Sequence, residues 1–294
     1  MNLKLNVFTI SILAMVTSCQ KSEMTPDKMP KLQMKEKVVQ VKKDDKLGKI
    51  LTDASGRTLY VFTLDADGKN HCSGDCEKIW PIFFADNITS KTIGMGLDVK
   101  DFGSIQLTSG KKQTTYKGHP LYYFAPDGMK IEKPGETKGE GARDVWFVAK
   151  PDYTILLSNT QLIGADGKGY IIDKDRKYKE DKGITQYFTD AYGLTLYTFV
   201  QDKKNMNSFT KSDFSNNAIW PIYEQKDIIV PSTLDKSLFG TIDVYGKKQL
   251  TYKGWPLYYF GQDGKKQGAT KGISVPQVGV WPVVIKDINQ APEK

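Results

Sequence analysis

"TYKGHPLYYF" occupies Thr115 to Phe124, and "TYKGWPLYYF" occupies Thr251 to Phe260. Nine of the ten positions agree, and only His119 has become Trp255. Gly118 and Gly254 can take the positive φ of a tight turn, and Pro120 and Pro256 fix the restart of a strand. The shared residues therefore spell a β-hairpin flanked by β-forming threonine and aromatics.

Working outward, the end of each hairpin opens a longer pattern, Y-x-F-x-x-D. It occurs at Tyr60, Phe62, Asp65; at Tyr122, Phe124, Asp127; at Tyr197, Phe199, Asp202; and at Tyr258, Phe260, Asp263. A tryptophan follows each copy 20 to 24 residues later, namely Trp80, Trp146, Trp220 and Trp281. Copies one and three begin with a D-x-x-G turn, "DASGRTLYVF" from Asp53 and "DAYGLTLYTF" from Asp190, whereas copies two and four begin with the quoted hairpin. The order is A-B-A-B, as one duplication of an A-B pair produces. The expected fold is all-β: four tandem β-hairpin-containing repeats, two pseudo-twofold-related halves and little helix. "PSTLDKSLF" from Pro231, with Ser232 at the N-cap, is the best short helix candidate. At the repeated positions tyrosine is expected to pack its ring and bond its hydroxyl, and aspartate to start the turn that follows. No acidic partner repeats with these aspartates in the manner a calcium loop needs.

This repeat resembles the secreted-repeat family of predicted bacterial lipoproteins with a Y-x-(F/W/Y)-x-x-D motif, over about residues 47 to 285. Members often carry a cysteine pair before Trp-Pro, as "CSGDCEKIWP" does here. The family is one of unknown function, so the resemblance implies an address and a fold unit rather than a reaction.

The chain starts "MNLKLNVFTISILAMVTSCQ", with a lysine, an apolar run too short to stay across a bilayer, and then Cys19. Residues 1–18 read as a lipoprotein signal peptide and Cys19 as the lipidated first residue, followed by a lysine-rich tether, 19–46. A first repeat pair at 47–150, a β-rich insert at 151–182, a second pair at 183–287 and a tail at 288–294 complete the organisation. Such a protein belongs to the bacterial cell envelope, held on its membrane by lipid. Gln20 lacks the aspartate that retains some lipoproteins in the inner membrane, which favours the outer one. Net charge is +8, carried almost wholly by lysine, since the arginines are Arg57, Arg143 and Arg176. Nucleic-acid readers rely on arginine's planar fork, so no nucleic-acid partner is expected.

Among chemical sites, no nucleophile motif or phosphate loop occurs, and no enzyme activity is expected. His71, Cys72, Cys76, Met95, His119 and Met129 all fall in the first half. Aligned on Trp-Pro, Ser212 and Asn216 stand where the cysteines do, while Ser232, Trp255 and Lys265 replace Met95, His119 and Met129. His71, Cys72, Cys76 and His119 would suit copper or zinc, or a histidine-ligated haem. Cys72 and Cys76 would equally form a disulfide in an exported protein, or a redox-active dithiol. The favoured reading is a membrane-anchored, non-catalytic binding or structural module, with a glycan or an envelope protein as partner and turn aromatics such as Trp255 as the contact. A metal or haem protein is the alternative.

Overall fold

Short strands and two-residue turns follow directly from this pattern, because each apolar alternation runs only a few residues before a glycine or aspartate ends it. The computed structural model describes residues 37–294. The signal segment, Cys19 and the tether as far as residue 36 lie outside the described residues.

In the first half, β1 (Val39–Asp44) turns into β2 (Gly48–Asp53), followed by β3 (Tyr60–Phe62), β4 (Phe102–Gln106), β5 (Lys112–Tyr116), β6 (His119–Pro120) and β7 (Trp146–Val148). β1 pairs with β2, β3 with β7, and β4, β5 and β6 form one antiparallel sheet. The second half runs β8 (Leu156–Thr160), β9 (Leu162–Ile163), β10 (Gly169–Ile172), β11 (Tyr178–Glu180), β12 (Thr185–Thr189), β13 (Phe239–Val244), β14 (Lys247–Tyr252) and β15 (Trp255–Pro256). β8 pairs with β12 as β1 pairs with β2, so β9, β10 and β11 form a small sheet within that connection.

The quoted hairpins are β5–β6 and β14–β15. Tyr116 sits opposite His119, and Tyr252 opposite Trp255. Both central residues of each turn have positive φ: Lys117 49° and Gly118 84°, Lys253 47° and Gly254 82°. That is the turn whose twist matches paired strands.

Matching hydrogen bonds tie the two halves to one plan. Leu51 N–H donates to Ala149 O and Ala149 N–H to Leu59 O; in the second half Phe188 N–H donates to Val284 O and Val284 N–H to Leu196 O. The Trp-Pro segments form isolated bridges rather than ladders, Ile82 with Tyr122, Ile222 with Tyr258 and Val283 with Tyr197. Proline deprives each of a ladder donor at its start. The helix expected from Ser232 is a single 3₁₀ turn, Lys236–Leu238, capped by the Asp235 carboxylate, which accepts from Ser237 N–H. A five-residue helical turn, Asp75–Ile79, stands instead after the first cysteine.

A shared core joins the halves: Leu51, Leu59, Phe83, Leu121 and Phe147 pack in one buried cluster with Phe188, Leu196, Tyr223, Leu257 and Val284. Each half also keeps its own aromatic cluster, around Trp80 and Trp146 in the first and around Trp220 and Trp281 in the second.

Candidate functional site

The repeated aromatics form a column that crosses between the A and B copies of each half. Phe62 of copy one stacks on Trp146 of copy two at 4.0 Å, Trp146 on Trp80 at 3.8 Å, and Trp80 meets Phe124 at 4.5 Å. The second half repeats the column: Phe199 on Trp281 at 4.4 Å, Trp281 on Trp220 at 3.8 Å, and Trp220 against Phe260 at 4.4 Å. The motif tyrosines meet the same tryptophans edge-on, Tyr60 on Trp80 at 5.4 Å and Tyr258 on Trp281 at 5.2 Å. Each motif phenylalanine thus packs on its neighbour copy's tryptophan, Phe62 and Phe199 stacked and Phe124 and Phe260 tilted. An isolated copy would leave both rings half covered, so the packing unit is the A-B pair.

The tyrosine hydroxyls also cross. Tyr122 donates to Asp65 at 2.6 Å, Tyr258 to Asp202 at 2.8 Å, and Tyr197 to Asp263 at 2.6 Å. Tyr60 breaks the pattern by donating to Glu132 at 2.5 Å, while Asp127 is exposed and accepts from Met129 and Lys130 N–H in the next turn. Glu132 does the same work as Asp263, since their second oxygens accept from Lys138 N–H and Lys271 N–H respectively. The second tyrosine of each "YYF" reaches the D-x-x-G turn, Tyr123 to Asp53 at 3.0 Å and Tyr259 to Asp190 at 2.8 Å. Burial pushes the Asp65 carboxyl up to about 7 and Asp263 up to about 6, against donors that favour the charged forms. Asp202, Asp190 and Glu132 are raised for the same reason. Every motif tyrosine is raised as well, by burial first.

Two glycines complete this arrangement and carry a signal the motif does not. Gly139 and Gly272 each donate an N–H to a motif hydroxyl, on Tyr60 and Tyr197. A Cβ on either would stand 2.8 Å from the ring of Trp80 or Trp220. The repeated pentapeptide G-x-T-K-G, Gly135 to Gly139 and Gly268 to Gly272, marks both.

The structure does not gather His71, Cys72, Cys76 and His119 into one donor set, and among the described residues no group of three or more histidine, cysteine or acidic side chains is placed to hold a metal. Cys72 and Cys76 form a disulfide. His71 is exposed with Nε2 2.9 Å from Asp67 Oδ1. Met95 and Met129 are exposed side chains. Hydrogen bonds realign the second half at this point. Cys72 and Phe209 each take their N–H to an asparagine two residues earlier, and Trp80 and Trp220 N–H each donate to the residue four before, Cys76 and Asn216. Phe209, rather than Ser212, therefore stands for Cys72. Where the first half has a covalent staple, Asn216 Nδ2–H donates to Phe209 O and the Phe209 ring lies 4.8 Å from Trp281. Replacing both Cys72 and Cys76 by serine opens a very short loop, for which the chain-entropy relation gives a loss of about 2 kcal/mol. Urea unfolding of the double variant should show that loss, and an unchanged midpoint would contradict a stabilising staple.

The single difference between the quoted hairpins lies under two different covers. His119 is buried, with Gln267 Nε2 3.2 Å from its Nδ1. Burial lowers its pKa to about 4. Trp255 is half-buried, its indole N–H donating to Asn289 O at 2.8 Å. His119 is thus enclosed at its turn, whereas Trp255 stays partly open.

A cleft of about 430 Å³ opens beside Phe260 and Asp263, lined by Leu194, Ala218, Pro221, Tyr259 and Gly261 and by the more polar Thr195, Lys265 and Lys266. Shared contacts identify the first-half counterparts. Leu194 and Arg57 N–H both donate to the turn aspartate, and Gly261 and Ala125 N–H both donate to the residue before the tryptophan. Ala218 and Lys78 each stand two residues before that tryptophan. Arg57, Lys78 and Ala125 are thus Leu194, Ala218 and Gly261 in the second half, a loss of two charged side chains and one methyl. Gly261 is required there, because a Cβ would collide with the Ala218 carbonyl. A mainly apolar concavity with a few polar groups, one of them a carboxyl of shifted pKa, is where a ligand is sought.

Residues 41–83, 103–150 and 242–285 match the family model described as a secreted repeat of unknown function. The third motif copy, Tyr197 to Trp220, lies between the matched segments, and it is the copy with Phe209 and Asn216 in place of the cysteine staple. No curated protein and no solved structure matches the chain.

Proposed function

We propose, for a chain that carries the secreted repeat of unknown function, that it is a lipid-anchored, non-catalytic binding module of the cell envelope, with its ligand seat in the cleft beside Phe260. The anchor reading rests on "VTSC" ending at Cys19 and on the secreted character of the repeat; Gln20 favours the outer membrane. Among the described residues no helix is long and apolar enough to cross a membrane. In cells fed labelled palmitate the chain should take up label and sediment with membranes, and Cys19→Ser should abolish both. Membrane sedimentation of Cys19→Ser equal to wild type would contradict lipid anchoring.

The observation that carries the binding reading is the divergence of the halves at one place. The motif and its glycines are kept in both, and each motif hydroxyl keeps an acidic partner although Glu132 stands in for Asp127, whereas Leu194, Ala218 and Gly261 replace bulkier groups around a concavity. A purely structural repeat has no need to open an apolar cleft to water, which costs about 25 cal/mol for each Å² left exposed. Ala218 is exposed, so a tryptophan there fills the cleft without disturbing the core. In a fluorescence titration with anilinonaphthalene sulfonate, wild type should bind saturably and Ala218→Trp should lose at least about tenfold in affinity, the factor that follows from roughly 1.4 kcal/mol of lost contact. Equal binding by both would rule out the seat.

A further inference from the structure

We propose that this cleft takes a small anionic amphiphile, a single apolar chain or ring system ending in a carboxylate or phosphate, with its body on Leu194, Ala218, Pro221 and Phe260 and its acid between Lys265 and Lys266. The inference rests on the cleft being the ligand seat. Its chemistry comes from how the lining divides. The side chains of Leu194, Ala218, Pro221 and Phe260 offer only carbon to an occupant, and the Thr195 hydroxyl in the same lining already donates to Ala269 O, so an ordinary sugar, with hydroxyls on every side, would leave most of them unpaired. The cations of the lining, Lys265 and Lys266, are adjacent in the chain, in the turn that carries Asp263. Neither lysine forms an ion pair among the described residues, whereas Lys204, Lys247 and Lys248, elsewhere in the same half, are each paired.

Asp263 is the one carboxyl in the lining, and it is already engaged on both oxygens, by the Tyr197 hydroxyl and the Lys271 amide. The Tyr259 hydroxyl is held by Asp190, so its ring is fixed as wall rather than offered as a donor. At about 430 Å³ the cleft lies toward the small end of those that hold drug-sized ligands, a size for one chain rather than for a two-chain lipid.

The test compares dodecanoate, dodecyl maltoside and dodecyltrimethylammonium below their micelle concentrations, by calorimetry on the purified chain. Dodecanoate should bind most tightly, shortening its chain should weaken binding about fourfold for each methylene removed, and Lys265→Ala with Lys266→Ala should weaken it about tenfold, less at high salt. Dodecyltrimethylammonium binding as tightly as dodecanoate, or dodecanoate binding unchanged in the double lysine variant, would overturn the anionic assignment. Ala218→Trp separates the two levels: if it removes all three probes alike while head group and lysines are without effect, the seat stands and the ligand class fails. If it removes none, the seat fails. Vesicles of phosphatidylglycerol distinguish the source of the acid, and competition by vesicles as strong as by dodecanoate would overturn the single-chain assignment in favour of a lipid headgroup.

Discussion

Trp281→Ala should cost about 3–5 kcal/mol of stability, the usual loss for a buried aromatic cut back to a methyl. Trp281 is 2 % exposed and touches four aromatic rings: Trp220, Phe199, Phe209 and Tyr258. Its removal leaves a void between two stacked partners, Phe199 and Trp220, whose approach is limited because Tyr197 and Ile222, two residues from each, are both bridged to Tyr258. Trp146→Ala should do the same in the first half, where Phe62 and Trp80 flank the ring. Because Leu51 and Phe147 share a core with Phe188 and Val284, either change should lower the midpoint of a single cooperative transition rather than melt one half alone. Trp255→Ala, at a half-buried site with one hydrogen bond, should cost no more than about 1–2 kcal/mol. Urea unfolding followed by circular dichroism measures all three. A loss at Trp281 no larger than at Trp255 would contradict the column as the support of the fold.

The second large effect is a dependence on pH. The Asp65 carboxyl has a pKa of about 7 in the folded chain, well above the value near 3.8 that it regains on unfolding. Between those values the folded state holds the proton and the unfolded state does not. Stability from this group is therefore fully present below about pH 4 and is lost as pH rises through about 7, a change of a few kcal/mol. Asp263, with its pKa raised to about 6, acts in the same direction over a narrower window. His119 acts oppositely: its pKa falls to about 4 from 6.5, so its contribution is present at neutral pH and is lost on acidification. The raw curve sums these opposed terms. The difference between wild type and Asp65→Asn isolates one of them, and Asp65→Asn should lose less stability than wild type between pH 4 and pH 7. Parallel curves for the two proteins would contradict a buried, proton-holding Asp65.

The hairpins, the A-B-A-B order and the all-β class could be read from sequence because their causes are local. Gly118 beside Lys117, or Asp53 three residues before Gly56, fixes a turn within a few residues, and the alternation beside it fixes a strand. The identity of each hydroxyl's partner could not be read in that way. Tyr122 finds Asp65 across 57 residues, and Tyr60 finds Glu132 across 72. Glu132 stands outside the motif, and only the geometry of the Lys138 turn shows that it replaces Asp127. The cleft was invisible for a different reason. Donor side chains such as His71, Cys72, Cys76 and His119 in the first half are visible in a sequence, whereas missing side chains are not. The cavity arises where the second half has lost side chains, at Leu194, Ala218 and Gly261. The cover over His119 and Trp255 is not legible in the sequence either, because the residues that reach them, Gln267 and Asn289, lie 148 and 34 residues away.

If the repeat folds as reciprocal A-B pairs, a motif tyrosine and the aspartate of the neighbouring copy must be coupled energetically. A double-mutant cycle on Tyr122→Phe and Asp65→Asn, read by urea unfolding at pH 8, tests this directly. Reciprocal pairing predicts that the two single losses, each about 1–3 kcal/mol, fail to add, with a coupling of at least about 1 kcal/mol. Additive losses, with coupling near zero, would contradict it.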